Sequence, residues 1–216
     1  MTAAPVESFP ALDSVAQIRH TFVCRVPGID VGVDRATALQ RLEECHRRVL
    51  RELEFSSALM TAEQVHGNSV AVVDETAAAT AAGVDGLITA RSGVCLGIHV
   101  ADCCAVYLHD RVRNCVGLVH SGRKGTELRI VQVAIQKLRD AFGSEPADIV
   151  AQLSPCIRPP HYEVDFAAEI VRQCRESGVR EVFDPGVCTA CNIERYYSYR
   201  AERGSTGRML AALMLV

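Results

Sequence analysis

Histidine and cysteine are the side chains best suited to chemistry near neutral pH, and three of them fall beside turns in apolar, strand-like surroundings. These are His66 in Gln64-Val65-His66-Gly67, Cys103 in Ala101-Asp102-Cys103-Cys104, and His120 in Val119-His120-Ser121-Gly122. Two imidazoles and one thiolate are a natural three-ligand set for a catalytic zinc that keeps its fourth position open. The separations are long, so spacing alone makes no motif; the competing reading has Cys103 in the core and both histidines in ordinary loops. Asp102, next to a candidate ligand, is placed to orient it, to shuttle protons, or simply to end a strand.

Two other groupings compete. His161-Tyr162-Glu163 followed by Cys188-Thr189-Ala190-Cys191 comes close to the zinc deaminase signature H-x-E…P-C-x-x-C, in which the glutamate moves the proton. Val187 stands where that signature has proline, and Asn192 to Tyr199 reads as an aromatic, strand-like stretch rather than a metal-bearing helix start. A lone C-x-x-C is also a weak mark of structural zinc. Gly122-Arg123-Lys124-Gly125-Thr126 precedes a helix expected to begin near Glu127; its glycines, two cations and the helix start together suit phosphate or carboxylate. A basic loop capped by Thr126 accounts for the same residues.

Periodicity indicates the elements that must position these groups. Asp34 caps a helix with Leu39, Leu42, His46, Val49, Leu50 and Leu53 at amphipathic spacing, which makes His46 a packed residue rather than a ligand. Residues 69–73, 86–89, 94–100, 104–108 and 115–120 are short apolar, β-branched runs divided by Gly, Asp and Asn, the pattern of sheet. His109 and Asp110 fall with Arg111 to Asn114 in an expected hairpin connection, so His109 reads as solvent-facing. Residues 127–142 predict a second amphipathic helix, and Asp165 caps a third with Phe166, Ile170, Val171 and Cys174 on one face. The run 208–216, apolar almost all round, is a buried helix or a final core segment.

Several of these strands are joined by links too short for a crossover helix, which excludes a purely parallel sheet. The expected class is α+β: a single domain with mixed β-sheets flanked by helices. Residues 1–15, with Pro5 and Pro10 and no periodicity, are expected to be a flexible N-terminal segment, and residues 16–216 the catalytic domain.

Composition sets the class of partner. With 216 residues, 49% of them hydrophobic, the chain can bury a substantial core, and a net charge of -3 without charge blocks argues against nucleic acid or anionic membrane as a partner. No apolar run approaches the ~20 residues that span a bilayer, and the N-terminus lacks a signal-peptide pattern, so a cytoplasmic location is expected. The ten cysteines then read as thiols, with Cys45, Cys95, Cys115 and Cys174 as small core residues.

Six ordered segments carry a family resemblance: Gln64-Val65-His66-Gly67, Asp85-Gly86-Leu87-Ile88-Thr89, Ala101-Asp102-Cys103, His120-Ser121-Gly122-Arg123-Lys124-Gly125-Thr126, Ser154-Pro155-Cys156-Ile157 with Tyr162-Glu163-Val164, and Tyr197-Ser198-Tyr199-Arg200 with Thr206-Gly207-Arg208-Met209. In that order they resemble the motifs of the laccase-domain family, first called multicopper polyphenol oxidases and now described as purine nucleoside phosphorylases with adenosine deaminase activity. The resemblance covers roughly Ile18 to the C-terminus. It implies the laccase-domain fold, a metal held by His66, Cys103 and His120, zinc rather than copper, and a purine nucleoside and phosphate as small-molecule substrates. Cys103, His120 and Asp102 become the catalytic candidates; Arg123, Lys124 and Arg200 become candidates for phosphate. His161 and the Cys188/Cys191 pair lose most of their claim, because they fall outside the family's metal triad.

The departures touch the substrate walls. The family's usual H-A-G-W-[RK]-G is here His120-Ser121-Gly122-Arg123-Lys124-Gly125, so a cation replaces an aromatic. Its G-P-C-I-G-P is Ser154-Pro155-Cys156-Ile157-Arg158-Pro159, and its Gly-rich F-[ST]-T-R-x-G-G loop is reduced to Phe22-Val23-Cys24-Arg25-Val26-Pro27-Gly28. A metal-independent Cys-His hydrolase and a non-catalytic metal- or ligand-binding protein are the rival classes. Phenol oxidation by copper is disfavoured, since three ligands with one cysteine do not make a multinuclear cluster.

Overall fold

Every residue of the strand Cys104–Asp110 is buried, and its side chains alternate between two apolar clusters: Ala105 and Tyr107 join one, Cys104, Val106 and Leu108 the other. Such a strand needs a sheet covered on both faces. The structure is a computed structural model describing residues 4–55, 59–74 and 79–216. Among the described residues it contains two six-stranded sheets. The first runs in the order β1 (Val6–Glu7), β2 (Ile18–Val23), β12 (Met209–Leu215), β7 (Cys95–Val100), β3 (Leu59–Ala62), β5 (Ala79–Ala81). The second runs β11 (Glu181–Phe183), β10 (Ile149–Leu153), β8 (Cys104–Asp110), β9 (Cys115–Ser121), β6 (Gly86–Thr89), β4 (Val70–Val72).

Both sheets are mixed. β3 lies parallel to β5 and β7, β4 to β6, and β10 to β11, while the remaining pairs are antiparallel. The helices α4 (Ile130–Phe142) and α5 (Phe166–Glu176) close one face of the second sheet through Ile130, Val131, Ala134, Phe166 and Ile170. The helix α2 (Arg35–Glu52), capped by Asp34, buries Ala38, Leu42 and Val49 in the other cluster with residues of both sheets. Each fully buried Leu in these layers, such as Leu42 or Leu118, contributes about 1.5–3 kcal/mol.

One topological feature positions the site. Three times the chain leaves the end of one of the parallel strands β3, β5 and β7 and crosses directly into the second sheet, at β4, β6 and β8. The three crossovers carry Gln64 and His66, then Asp85, then Asp102 and Cys103. Two of them bend through positive φ at non-glycine residues: Gln64 at 63°, His66 at 60° and Asp102 at 80°. Such backbone persists where its surroundings over-determine it, and functional sites are where it gathers.

Several expectations are corrected. His109 and Asp110 belong to β8, which runs on because β9 and β10 both pair with it to its end; His109 is buried, and the Asp110 carboxylate accepts from the N–H groups of Val112 and Arg113 to start the turn. The helix expected over 127–142 is two, α3 (Arg123–Glu127) and α4, because Arg129 adopts a left-handed φ of 60° and Leu128 faces solvent. The stretch after Cys191 is turn, not strand, with Tyr196 and Tyr197 buried. The run at the C-terminus, expected as a buried helix or a final core segment, is the second of these, the strand β12, apolar throughout because it lies between β2 and β7 and is covered on both faces. Of the segment expected to be flexible, residues 1–3 lie outside the described residues; the remainder holds β1 and the short helix α1 (Pro10–Asp13), with Phe9 and Leu12 buried.

Candidate functional site

The crossovers bring together what is far apart in sequence. One ligand atom from each of His66, Cys103 and His120 lies within 4.8 Å of the other two, and among the described residues these form the one group of three such donors. The imidazole rings of His66 and His120 meet edge to face, centroids 4.9 Å apart at 82°. His66 is exposed, Cys103 half-buried and His120 buried, so the group has one open side.

Asp85 organises the cluster from behind. It is fully buried at the end of the second crossover, and it accepts hydrogen bonds from the N–H groups of His66 (2.9 Å) and Gly67 (2.7 Å). The same carboxylate holds Nδ1 of His120 at 2.8 Å, and the Asp85 carbonyl accepts from the His120 N–H. Burial opposes its ionisation, but His120 and the two backbone donors outweigh burial and keep its carboxyl below the usual range. With Nδ1 held by a carboxylate, the other ring nitrogen of His120 is the one left to face the cluster, the arrangement found behind metal-ligating histidines.

Charge follows from these contacts. Burial disfavours a Cys103 thiolate, yet His120 and His66 overcome it by charge and hydrogen bonding and bring the thiol down to about 6. Burial likewise disfavours an imidazolium at His120, yet Cys103 and Asp85 raise it to about 9. A pre-formed thiolate beside two imidazoles, one of them braced by a carboxylate, fits a borderline metal such as zinc. Packing adds a steric condition, because a Cβ on Gly122 would fall 2.5 Å from Cys103 Sγ; glycine there lets the thiol sit against the start of α3.

Asp102 is spoken for elsewhere: one carboxylate oxygen accepts from Thr189 Oγ1 and the other from the Arg200 N–H, both at 2.7 Å. It ties the third crossover to two distant loops. The segment Gly122 to Thr126 is not a loop before a helix but helix α3 itself, closed by hydrogen bonds from the Thr126 N–H and hydroxyl to the Gly122 carbonyl. Arg123 on it binds Glu127 and Glu163, and Arg200 binds the other oxygen of Glu163 while stacking over Tyr162. Lys124 is exposed. His161, Cys188 and Cys191 do not gather with a third donor into a metal-sized cluster among the described residues.

Sequence reasoning gave no role to Asp85, Gln64 or Arg208, and weighed Glu163 only as the proton-moving glutamate of a deaminase-like signature, not as the partner of Arg123 and Arg200. Asp85 directly precedes an apolar strand, as many loop acids do, and only the return of β9 beside β6 puts His120 against it.

The fold is shared with known proteins. The model of the family described as multi-copper polyphenol oxidoreductase laccase matches residues 24–170 and 164–216. A Deinococcus radiodurans protein named purine nucleoside phosphorylase is 31% identical over 232 aligned positions, covering 92% of this chain and 89% of that protein. A Clostridium acetobutylicum protein of the same name is 30% identical over 156 positions, which span 60% of this chain and 66% of that protein, just under two thirds of its length. Among solved structures, YlmD from Geobacillus stearothermophilus superposes with a TM-score of 0.78 at 25% identity, over 96% of this chain and 94% of that one. The hypothetical protein YfiH of Bacillus licheniformis, at 23% identity, shares the fold with a TM-score of 0.79 over 93% of each chain.

Proposed function

Because the chain belongs to the multi-copper polyphenol oxidoreductase laccase family, and relatives in it are named purine nucleoside phosphorylase, we propose that it is a zinc-dependent purine nucleoside phosphorylase that also deaminates adenosine. The observation that carries this reading is the convergence of His66, Cys103 and His120 within 4.8 Å, with Asp85 bracing His120. Zinc held there would supply Lewis acidity to activate an oxygen nucleophile. Phosphorolysis joins phosphate to the ribose C1′ and releases the base; deamination puts the oxygen of water in place of the adenosine amino group and releases ammonia.

The chain's own residues set up both reactions. Asp85 fixes the tautomer and plane of His120, Cys103 stands ready as thiolate, and exposed His66 marks the side from which a substrate approaches. Asp102 acts as a positioning residue for the third crossover, its carboxylate being occupied by Thr189 and Arg200. Of the three candidate phosphate cations, Arg123 and Arg200 reach an anion only by competing with Glu163, which leaves Lys124 the readiest of them. Zinc is chosen over copper because phenol oxidation by a multinuclear cluster needs more donor groups than the one found among the described residues.

The test is a metal-analysed preparation given adenosine or inosine with and without phosphate, its products separated by chromatography. Inosine from adenosine alone, and free base with ribose 1-phosphate when phosphate is present, are expected. A zinc-loaded, folded protein that converts neither nucleoside overturns the reading. The Cys103 thiolate beside the His120 imidazolium also supports a metal-independent Cys-His hydrolase, which would be selected by activity that survives complete chelation.

A further inference from the structure

The cations singled out by sequence for phosphate are exposed, and two of them are already bound to one glutamate. A better-placed guanidinium is that of Arg208. It is half-buried, its recorded hydrogen bonds run to the carbonyls of Thr206 (2.9 Å) and Gly207 (2.8 Å), and among the described residues no carboxylate pairs with it. A buried charge without a counter-charge is costly unless a ligand supplies one.

Its position follows from register. Met209 lies opposite Val100, so Arg208 stands beside the crossover that carries Asp102 and Cys103. Leu210 lies opposite His99, whose backbone is gripped in both directions by the Gln64 amide at 2.6 and 3.0 Å, two residues before His66. On the same connection the Glu63 carbonyl takes Arg35 Nη2 at 3.3 Å. Arg35, like Arg208, has no carboxylate partner among the described residues. The two are close enough to feel each other: burial lowers the affinity of Arg208 for its proton, Arg35 lowers it further, and Cys103, Tyr199 and Asp102 oppose them. The Tyr199 ring centroid lies 5.9 Å from the Arg208 guanidinium. Each guanidinium presents its N–H donors as a rigid fork that matches a tetrahedral oxyanion, and both stand on or beside crossovers that carry the candidate centre without a carboxylate to neutralise them among the described residues.

We propose that Arg208 and Arg35 form the oxyanion subsite of the His66, Cys103 and His120 centre, taking inorganic phosphate or the phosphoryl group of a nucleotide. The proposal rests on the reading above for the identity of the reaction, but not for the existence of the subsite.

The test uses zinc-loaded full-length protein titrated calorimetrically with inorganic phosphate and, separately, with AMP. Arg208→Gln and Arg35→Gln should each weaken binding about tenfold or more, while Arg41→Gln, which removes a charge from the same helix, leaves it unchanged. Phosphate binding that responds identifies the free ion as ligand; a response to AMP alone identifies a ligand-borne phosphoryl group. Arg35 is exposed, so its variant keeps the test informative should Arg208→Gln fold poorly. Binding of both ligands that is untouched by Arg35→Gln, or equally weakened by Arg41→Gln, overturns the subsite. Arginine-dependent binding in a protein that phosphorolyses nothing would sink the assigned reaction and leave the subsite standing. Phosphorolysis with unaltered phosphate KM in both arginine variants would do the reverse.

Discussion

Among the described residues two histidine pairs each have one buried member and differ in almost everything else. His66 and His120 meet at 4.9 Å and 82°; His46 on α2 and His99 on β7 meet at 5.8 Å and 30°. His120 and His46 are each 3% exposed, yet His120 is raised to about 9 and His46 lowered to about 4. Burial is the largest influence on both and works against charge in both. For His120 the Cys103 thiolate and the Asp85 carboxylate outweigh it. For His46 burial acts alone and Nε2 is left without a partner, while His99 falls to about 3 through burial, His46, Arg35 and Arg208. A buried imidazole therefore acquires chemistry from its partners, and here the crossovers deliver them to one pair only.

The substitution that should break this contrast most completely is Cys103→Ser. It removes the thiolate that supports the His120 charge and would anchor the proposed zinc, so metal content should fall from about one zinc per chain to background by mass spectrometry. The same replacement should drop the His120 pKa well below 9 in metal-free protein, followed by NMR of the imidazole. A full complement of metal in Cys103→Ser would remove the centre from consideration.

Next in size is Asp85→Asn. An amide keeps the shape but withdraws the charge that balances His120, and its NH2 group cannot accept from the His66 and Gly67 N–H groups as a carboxylate oxygen does. Loss of one partner of a buried ion pair costs about 3–5 kcal/mol, and loss of the carboxylate behind a ligating histidine weakens metal binding about 10–100-fold. Denaturant unfolding of metal-free protein and competitive zinc titration measure the two separately. If zinc affinity stays within twofold of the parent, Asp85 is merely structural.

This contrast also marks how far the residues alone could be read. Short apolar, β-branched runs bounded by Gly, Asp and Asn were enough for β8 and β9, and Asp34 and Asp165 marked their helices correctly. β3 (Leu59-Met60-Thr61-Ala62) and β5 (Ala79-Thr80-Ala81) lack the apolar, β-branched runs that show β4 and β6, and β12, apolar at every position, fits a buried helix as well as a strand from its residues alone. His46 was legible as a packed histidine from its helical spacing. The cluster was not legible from spacing, since His66, Cys103 and His120 meet only because parallel strands cross into a second sheet, a property of topology; ordered motifs supplied what spacing could not. Asp85 and Arg208 needed the folded chain, because each owes its significance to a neighbour contributed by another strand.

The smallest effect is expected from the uncharged pair, and it shows only in acid. A histidine whose folded pKa lies below its unfolded value binds its proton in the unfolded chain first, so it costs no stability above about 6.5 and progressively more as pH falls toward its folded pKa. For His46, with a folded value of about 4, the loss between pH 7 and pH 5 is on the order of 2 kcal/mol. His46→Phe keeps an aromatic in the cluster and deletes the titration, so unfolding free energy plotted against pH should lose about one proton of slope between pH 6.5 and 4 while zinc content is unchanged. Slope is the proper readout, because any overpacking by the larger ring shifts the whole curve without tilting it. An unaltered slope would mean that His46 finds a counter-charge after all, and the distinction drawn between the two pairs would fail at its quieter end.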